Sequence, residues 1–351
     1  MRTNIILQGD ALEKLKELPD ESVNCVMTSP PYWALRDYGI EGQLGLEPTF
    51  EEYINKLCGI FDEVQRVLRN DGTCWVNIGD TYSATRWSGE GKGQPMNKMK
   101  DWHRDINPER ITGLPDKCLT LIPFRFAIEM VNRDWILRNT IIWHKRMCMP
   151  SSVKDRFTVD FEYLFFFVKN KKYWFETQRE PHNKESLNDM QRNNTRVDID
   201  LNDNKRINIG RKRSEYYHPL GRNKRTVWVI NPQPFGENVC MICGYFSKPK
   251  SKVEKKGYFG GEDKSERVCN GCGNKLITSH FAIYPEELCW TPIKAGCKEG
   301  GIVLDIFFGA GTTGLVALKQ NKKFIGIELN QEYIEIAKKR LKPYLEQKKL
   351  K

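Results

Sequence analysis

A strand, a glycine turn, a helix and a second strand follow one another near the end of the chain, and this run constrains the fold most. Ile302-Val303-Leu304-Asp305 is a short apolar segment ending in an acid. Phe307-Phe308-Gly309-Ala310-Gly311-Thr312-Thr313-Gly314 then turns into a helical segment through Leu315 and Leu318, and Lys323-Phe324-Ile325-Gly326-Ile327-Glu328 is the next apolar run. Such a unit belongs to an α/β sheet. Its glycines let a backbone approach a ligand closely. Glu328 lies 17 residues after Gly311, near the spacing at which an acid reaches a ribose diol. A phosphate-binding loop needs Gly-Lys-Ser/Thr, whereas Thr312 and Thr313 follow Gly311 here. Gly309, Gly311 and Gly314 nominally meet a GxGxxG pattern, which a plain tight βα turn also explains.

The first half of the chain alternates in the same way. Residues 4–10 read as a buried strand ending at Asp10, 11–18 as a helix with Leu12, Leu15 and Leu18 on one face, and 22–27 as a strand. A helix is expected over 50–68, a strand over 73–78, a polar surface loop over 83–116, a helix over 122–132, and strands over 135–143 and 161–168. At the end of the second strand stands Thr28-Ser29-Pro30-Pro31-Tyr32-Trp33. Two prolines fix the backbone and leave carbonyls that no helix or sheet claims. Ser29 adds a hydroxyl acceptor and Tyr32 a flat ring. Acceptors beside a stacking surface suit the exocyclic amine of a nucleobase drawn out of its stack; the alternative is a strand ending in a Pro-Pro turn.

The two signals decide each other. A grip for a nucleobase amine, beside a ribose-binding turn without phosphate machinery, points to S-adenosylmethionine. Methyl transfer to an amine needs in-line placement of the nitrogen and acceptors for its hydrogens. Hydrogen bonds to Ser29 Oγ and the Pro30 carbonyl favour a pyramidal nitrogen over the planar, conjugated one, which is stabilisation specific to the transition state.

At these residues the chain resembles the DNA amino-methyltransferases, which modify cytosine N4 or adenine N6. It is similar to the circularly ordered subgroup in which the catalytic motif precedes the recognition region and the cofactor motif comes last. The resemblance spans residues 4–170 and 280–345. It implies catalytic roles for Ser29, Pro30, Pro31 and Tyr32, and cofactor contacts from Asp10, Asp305, Phe307, Gly309, Gly311, Thr312, Thr313 and Glu328. His280-Phe281-Ala282-Ile283-Tyr284-Pro285-Glu286-Glu287-Leu288 resembles the segment that caps the methionine end of the cofactor. Trp143-His144-Lys145 and residues 150–156 resemble a stretch on the target-base side. Two positions depart from the family pattern: Ile306 and Phe281 each stand where proline is usual. Ser at the first position of the tetrapeptide favours cytosine N4; adenine N6 is the alternative, and a catalytically inactive zinc-containing DNA-binding protein is a rival of another class. The implied fold is a mixed seven-stranded α/β methyltransferase sheet of permuted order with helices on both faces. Its N-terminal strand lies near the strand ending at Glu328.

A basic region interrupts the alternation. Residues 169–279 carry 23 Lys and Arg against 13 Asp and Glu, an excess of ten in a chain of net charge +11. Arg211-Lys212-Arg213 and Arg222, Lys224 and Arg225 alternate with Tyr216, Tyr217, Trp228 and Phe235, a pattern suited to phosphate contacts. The expected organisation is a catalytic half over 1–168, a target-recognition insert over 169–279, and an S-adenosylmethionine-binding half over 280–351. Cys240-x-x-Cys243 and Cys269-x-x-Cys272, each followed by glycine, have the spacing of a closed structural zinc site. Four thiolates leave no open position for catalysis. Double-stranded DNA is the expected partner, with a cognate restriction endonuclease as a second candidate and no membrane. The longest strongly apolar run, 163–168, is too short to span a bilayer. Without a secretory signal pattern, a cytoplasmic protein with reduced or metal-bound cysteines is expected. Elemental analysis of the purified protein should give one zinc per chain. Gentle chelation should unfold residues 240–272 while S-adenosylmethionine binding, followed by calorimetry, persists.

Overall fold

The computed structural model describes residues 1–35, 40–83, 113–115, 117–148, 150–191, 195–199, 206–212, 218–232, 238–239, 246–247 and 284–347. They form two compact units, one of residues 1–175 and 227–351, the other of 176–226. Cys240, Cys243, Cys269, Cys272 and residues 280–283 lie outside the described residues, as do most of the polar loop and Arg213, Tyr216, Tyr217 and Phe235.

The larger unit is built on β1 (Ile5–Gln8), β2 (Val23–Thr28), β3 (Leu68–Ile78), β4 (Ile136–His144), β5 (Phe161–Val168), β6 (Val227–Val229), β7 (Ile302–Asp305) and β8 (Lys323–Glu328). They make one sheet in the order β1-β8-β7-β2-β3-β5-β4-β6. All neighbours are parallel except β3–β5 and β5–β4. The sheet thus has eight strands, not the expected seven. The added one, β6, is three residues long and pairs with β4 at the edge, with Trp228 buried and Val227 and Val229 exposed. Periodicity cannot register so short a segment. β1 lies beside β8, Gln8 opposite Glu328, which joins the two ends of the chain in one sheet.

Alternation along the strands supplies both faces. Val26, Val76, Phe165, Phe167, Ile325 and Ile327 pack with α1 (Ala11–Lys16), α2 (Phe50–Val67) and α3 (Ile122–Asn132). Cys25, Met27, Trp75, Phe166, Val303 and Phe324 pack with α4 (Glu286–Gly296), α5 (Thr312–Lys319) and α6 (Gln331–Gln347). A sheet covered on both sides reads as near-continuous apolar runs, as in Phe161–Val168. The long helix α2 begins at a side-chain N-cap: the Thr49 hydroxyl accepts from Glu52 N at 3.2 Å. α1 ends at Lys16, short of the expected Leu18, though Leu15 and Leu18 are both buried.

The smaller unit pairs Arg179–Glu180 with Arg222–Asn223 and Thr195–Ile199 with Arg206–Lys212, both antiparallel. In it the Glu180 carboxylate accepts from Arg222 Nε at 2.8 Å and Arg225 Nε at 2.7 Å. Its carboxyl therefore lies below the usual range, the arginine hydrogen bonds outweighing its desolvation.

Two glycines of the nucleotide-type block serve the core. A Cβ on Gly326 would stand 2.6 Å from Phe308 Cδ1, and one on Gly314 2.7 Å from Phe308 Cζ. Phe308 is buried and stacks on Phe324 at 5.4 Å. Gly326→Ala should cost about 1–3 kcal/mol through overpacking, read by urea denaturation, and the added Phe308→Leu change should recover part of it.

Candidate active site

Strand direction decides which residues meet. The parallel strands deliver their carboxyl ends to one edge of the sheet: Asp10 after β1, Ser29 and Pro30 after β2, Gly79 and Asp80 after β3, Lys145 after β4, Ile306 after β7 and Leu329 after β8. β5 runs the other way, so its first residues, Phe161 and Glu162, reach that same edge. Chain connections depart in opposite directions from the adjacent strands β7 and β2, the position where open α/β sheets form a crevice. A cavity of about 1210 Å3 opens there.

On the β1–β8–β7 side, Asp10, Phe307, Gly309, Thr312 and Glu328 line the cavity. Glu328 accepts from Gly309 N at 2.7 Å and Asn330 N at 2.8 Å. These bonds aim its carboxylate, and burial pushes its carboxyl upward. Asp10 caps α1, accepting from Glu13 N at 3.1 Å. Gly309 and Gly311 have φ of 50° and 80°, the left-handed conformation that glycine tolerates best. A Cβ on Gly311 would meet Ala337 Cβ at 3.0 Å. Two carboxylates between apolar walls of Phe307 and Ile327 fit the hydroxyls of a ribose and the faces of a purine.

Asp305, Gly311 and Thr313 are not in the cavity wall. Asp305 is buried behind it. One carboxylate oxygen accepts from Thr28 Oγ1 at 2.7 Å and Phe307 N at 3.1 Å; the other accepts from Thr313 Oγ1 at 2.7 Å and Tyr284 OH at 2.9 Å. Burial drives this carboxyl upward against those four donors. Thr313 Oγ1 also lies within 3.2 Å of the Met27 carbonyl. Tyr284 does line the cavity, and burial holds its phenol well above its ordinary pKa.

On the β2–β3–β5–β4 side, Ser29, Pro30, Pro31 and Tyr32 line the same cavity, together with Trp143 and Lys145. The Pro31 carbonyl is taken by Tyr53 OH at 2.9 Å, which pins the Pro-Pro turn to α2. Tyr32 OH donates to Glu162 Oε2 at 2.7 Å. Asn77 Nδ2 donates to the same oxygen at 3.1 Å and to the Tyr163 carbonyl at 3.0 Å. Lys145 Nζ pairs with the other Glu162 oxygen and lies 4.3 Å from the Trp143 ring centroid. Burial, then the Glu162 charge, raises the Tyr32 phenol well above its ordinary pKa, so it stays neutral. Gly79 makes room for the ring: a Cβ there would come within 2.6 Å of Tyr32 Cε2.

Asn77, Gly79 and Glu162 escaped the sequence reading. The available signal was a lone acid in an apolar run, Phe161-Glu162-Tyr163-Leu164. His144 faces Asp160 at 3.3 Å and is not in the wall; of the 150–156 stretch, none lines it either. Among the described residues no cluster of His, Cys, Asp and Glu could hold a metal ion, and no helix is long and apolar enough to cross a membrane.

The family model described as DNA methylase (N6/N4) matches residues 23–339. The chain is 36% identical over 343 residues to Type II methyltransferase M.XycI of Xanthomonas campestris pv. cyanopsidis, covering 97% of this chain and 88% of that protein. It is 34% identical over 348 residues to Type II methyltransferase M.SmaI of Serratia marcescens, covering 97% and 91%. Among solved structures, PvuII DNA methyltransferase (cytosine-N4-specific) shares the fold with a TM-score of 0.56 at 20% identity, covering 97% of this chain and 86% of that one. The Pro-Pro turn and the glycine turn share one cleft in a chain that matches over most of its length, and the chain belongs to the N6/N4 family of DNA methylases.

Proposed function

We propose that this protein transfers a methyl group from S-adenosylmethionine to the N4 amine of a cytosine flipped out of double-stranded DNA. The observation that carries this reading is one cavity walled by both the Ser29-Pro30-Pro31-Tyr32 turn and the Asp10, Phe307, Gly309, Glu328 side. Glu328 and Asp10 would hold the cofactor's ribose and purine, with Gly309 and Thr312 beside them. Asp305, Gly311 and Thr313 would act from behind by fixing the loop. When bound, the cofactor supplies an electrophilic methyl on a sulfonium.

The rest is done by the chain's own groups. Ser29 Oγ and the Pro30 carbonyl accept the two amine hydrogens and favour the pyramidal nitrogen. Among the described residues nothing donates to the Pro30 carbonyl, whereas the Pro31 carbonyl already serves Tyr53. Tyr32 offers its ring face to the base, held by Glu162 and Asn77. The Lys145–Glu162 ion pair leaves that network without net charge. No protein base is assigned, because the methylated amine is acidic enough to release its proton to solvent.

The choice of cytosine rests on Ser29, a neutral acceptor at the first position of the turn. The basic 169–279 region is assigned to target recognition and the cysteine quartet within it to a structural zinc. Both relatives are named Type II methyltransferases, and this chain is assigned by that likeness a cytoplasmic role guarding DNA from a cognate endonuclease.

Single-molecule sequencing of DNA from expressing cells should report N4-methylcytosine in a fixed context, and nucleoside mass analysis should agree. N6-methyladenine would instead assign the adenine branch, and absence of incorporated label with folded protein bound to DNA would identify an inactive binder. Ser29→Ala should lower kcat by about 100-fold with little change in KM for DNA, because the lost acceptor acts mainly in the transition state. Glu162→Gln should lower kcat/KM by about 10-fold, the equivalent of one charged hydrogen bond, while cofactor affinity in a calorimetric titration stays unchanged.

A further inference from the structure

Phe157 is 96% exposed, more than any other large apolar side chain among the described residues. An isolated exposed apolar residue is ordinary, but the position of this one is not. It sits between β4 and β5, at the sheet edge that carries the cavity, and Val159, two residues on, is part of the cavity wall. Its backbone is anchored close by. Lys145 N donates to the Asp160 carbonyl at 2.7 Å, closing the connection at its base. Asp155 pairs with Lys117 at 2.6 Å, and the Arg156 guanidinium stands 3.7 Å from the Tyr82 ring centroid. The ring is therefore presented outward from held neighbours. Arg146, Lys154 and Arg156 add positive charge on the same connection.

A base drawn into the cavity leaves a gap of one stacking step in the duplex, and its neighbours lose their stacking partner. Apolar side chains inserted between base steps are an established way of meeting that loss, and an aromatic ring stacks on any base. Cations beside the ring suit the flanking phosphates.

We propose that Phe157 is the wedge that enters the DNA stack and fills the gap left by the extruded base. This rests on the methyltransferase reading above. It makes Phe157 a positioning residue, distinct from the groups that touch the reacting amine.

The test uses the full-length protein and duplexes containing the sequenced target site. One duplex is fully paired; a second has an abasic position opposite the target, which weakens the cost of extrusion. Parallel copies of both duplexes carry pyrrolo-cytosine at the target, which has no free N4 amine and reports flipping by fluorescence, while the rates are read on ordinary cytosine. Phe157→Ala should lower the flipped fraction and single-turnover rate on the paired duplex by about tenfold. On the abasic duplex the variant should come within about twofold of the unsubstituted protein. Phe157→Trp should keep activity on both. Thermal melting and S-adenosylmethionine affinity of Phe157→Ala should be unchanged, since the side chain is almost wholly exposed.

Equal rates of Phe157→Ala and the unsubstituted protein on the paired duplex would overturn the wedge. Equal losses on both duplexes would overturn it too, by revealing a general DNA contact. A change in sedimentation of the free variant with normal flipping would reassign the ring to self-association. If the unsubstituted protein binds cofactor and DNA but methylates neither duplex, the methyltransferase reading fails first and takes the wedge with it.

Discussion

One carboxylate holds the two halves of the site together. Asp305 ends β7, and Thr28, 277 positions away in the chain, ends β2. Their hydrogen bond crosses the point where the sheet's connections diverge. The same carboxylate orders the glycine turn through Phe307 N and the start of α5 through Thr313. It reaches Tyr284 in the segment before α4 as well. Four donors around one buried acid fill its acceptor capacity, and loss of the acid would leave Thr28 Oγ1 and Phe307 N without this partner at a cost. Distance between the Pro-Pro turn and the glycine turn is thereby set by a short bond between their strands. In-line transfer tolerates little error in that distance.

The turn that follows Thr28 has its own support. Tyr53 on α2 holds the Pro31 carbonyl. Tyr32 is held at its hydroxyl by Glu162 and has its ring seated over Gly79. Glu162 and Lys145 come from opposite ends of the β4–β5 connection, and Asn77 comes from β3. A half-buried charge pair of this kind contributes little net stability, because desolvation offsets much of the attraction. Its value here is orientation: both Glu162 oxygens are engaged, which holds the carboxylate in place as the nearer acceptor of the Tyr32 phenol, at 2.7 Å against 3.3 Å for Asn77 Oδ1.

Much of this was legible in the residues themselves. Strands 161–168 and 302–305 and helix 122–132 stand where their patterns put them, because long apolar alternation leaves few other choices. The pairing of β1 with β8 followed from the cofactor-type turn being last in the chain. What the patterns obscured was the job of particular glycines. Gly314 completes a GxGxxG pattern, yet it and Gly326 give space to the Phe308 ring. Likewise Asp305 and Thr313 sit behind the cavity and brace its wall. A motif specifies residue types at spacings, and both a ligand contact and a packing contact satisfy it.

Residue pattern alone specifies an α/β sheet with two chemically distinct turns, because apolar periodicity and the special backbones of Gly and Pro act locally. That both turns open into one cavity, that β6 lengthens the sheet to eight strands and that Glu162 stands behind Tyr32 are set by the folded arrangement of the strands. These follow from strand order and direction, which join residues far apart in the chain. Glu162 reaches the site because β5 runs antiparallel; no spacing along the chain encodes the direction of a neighbour.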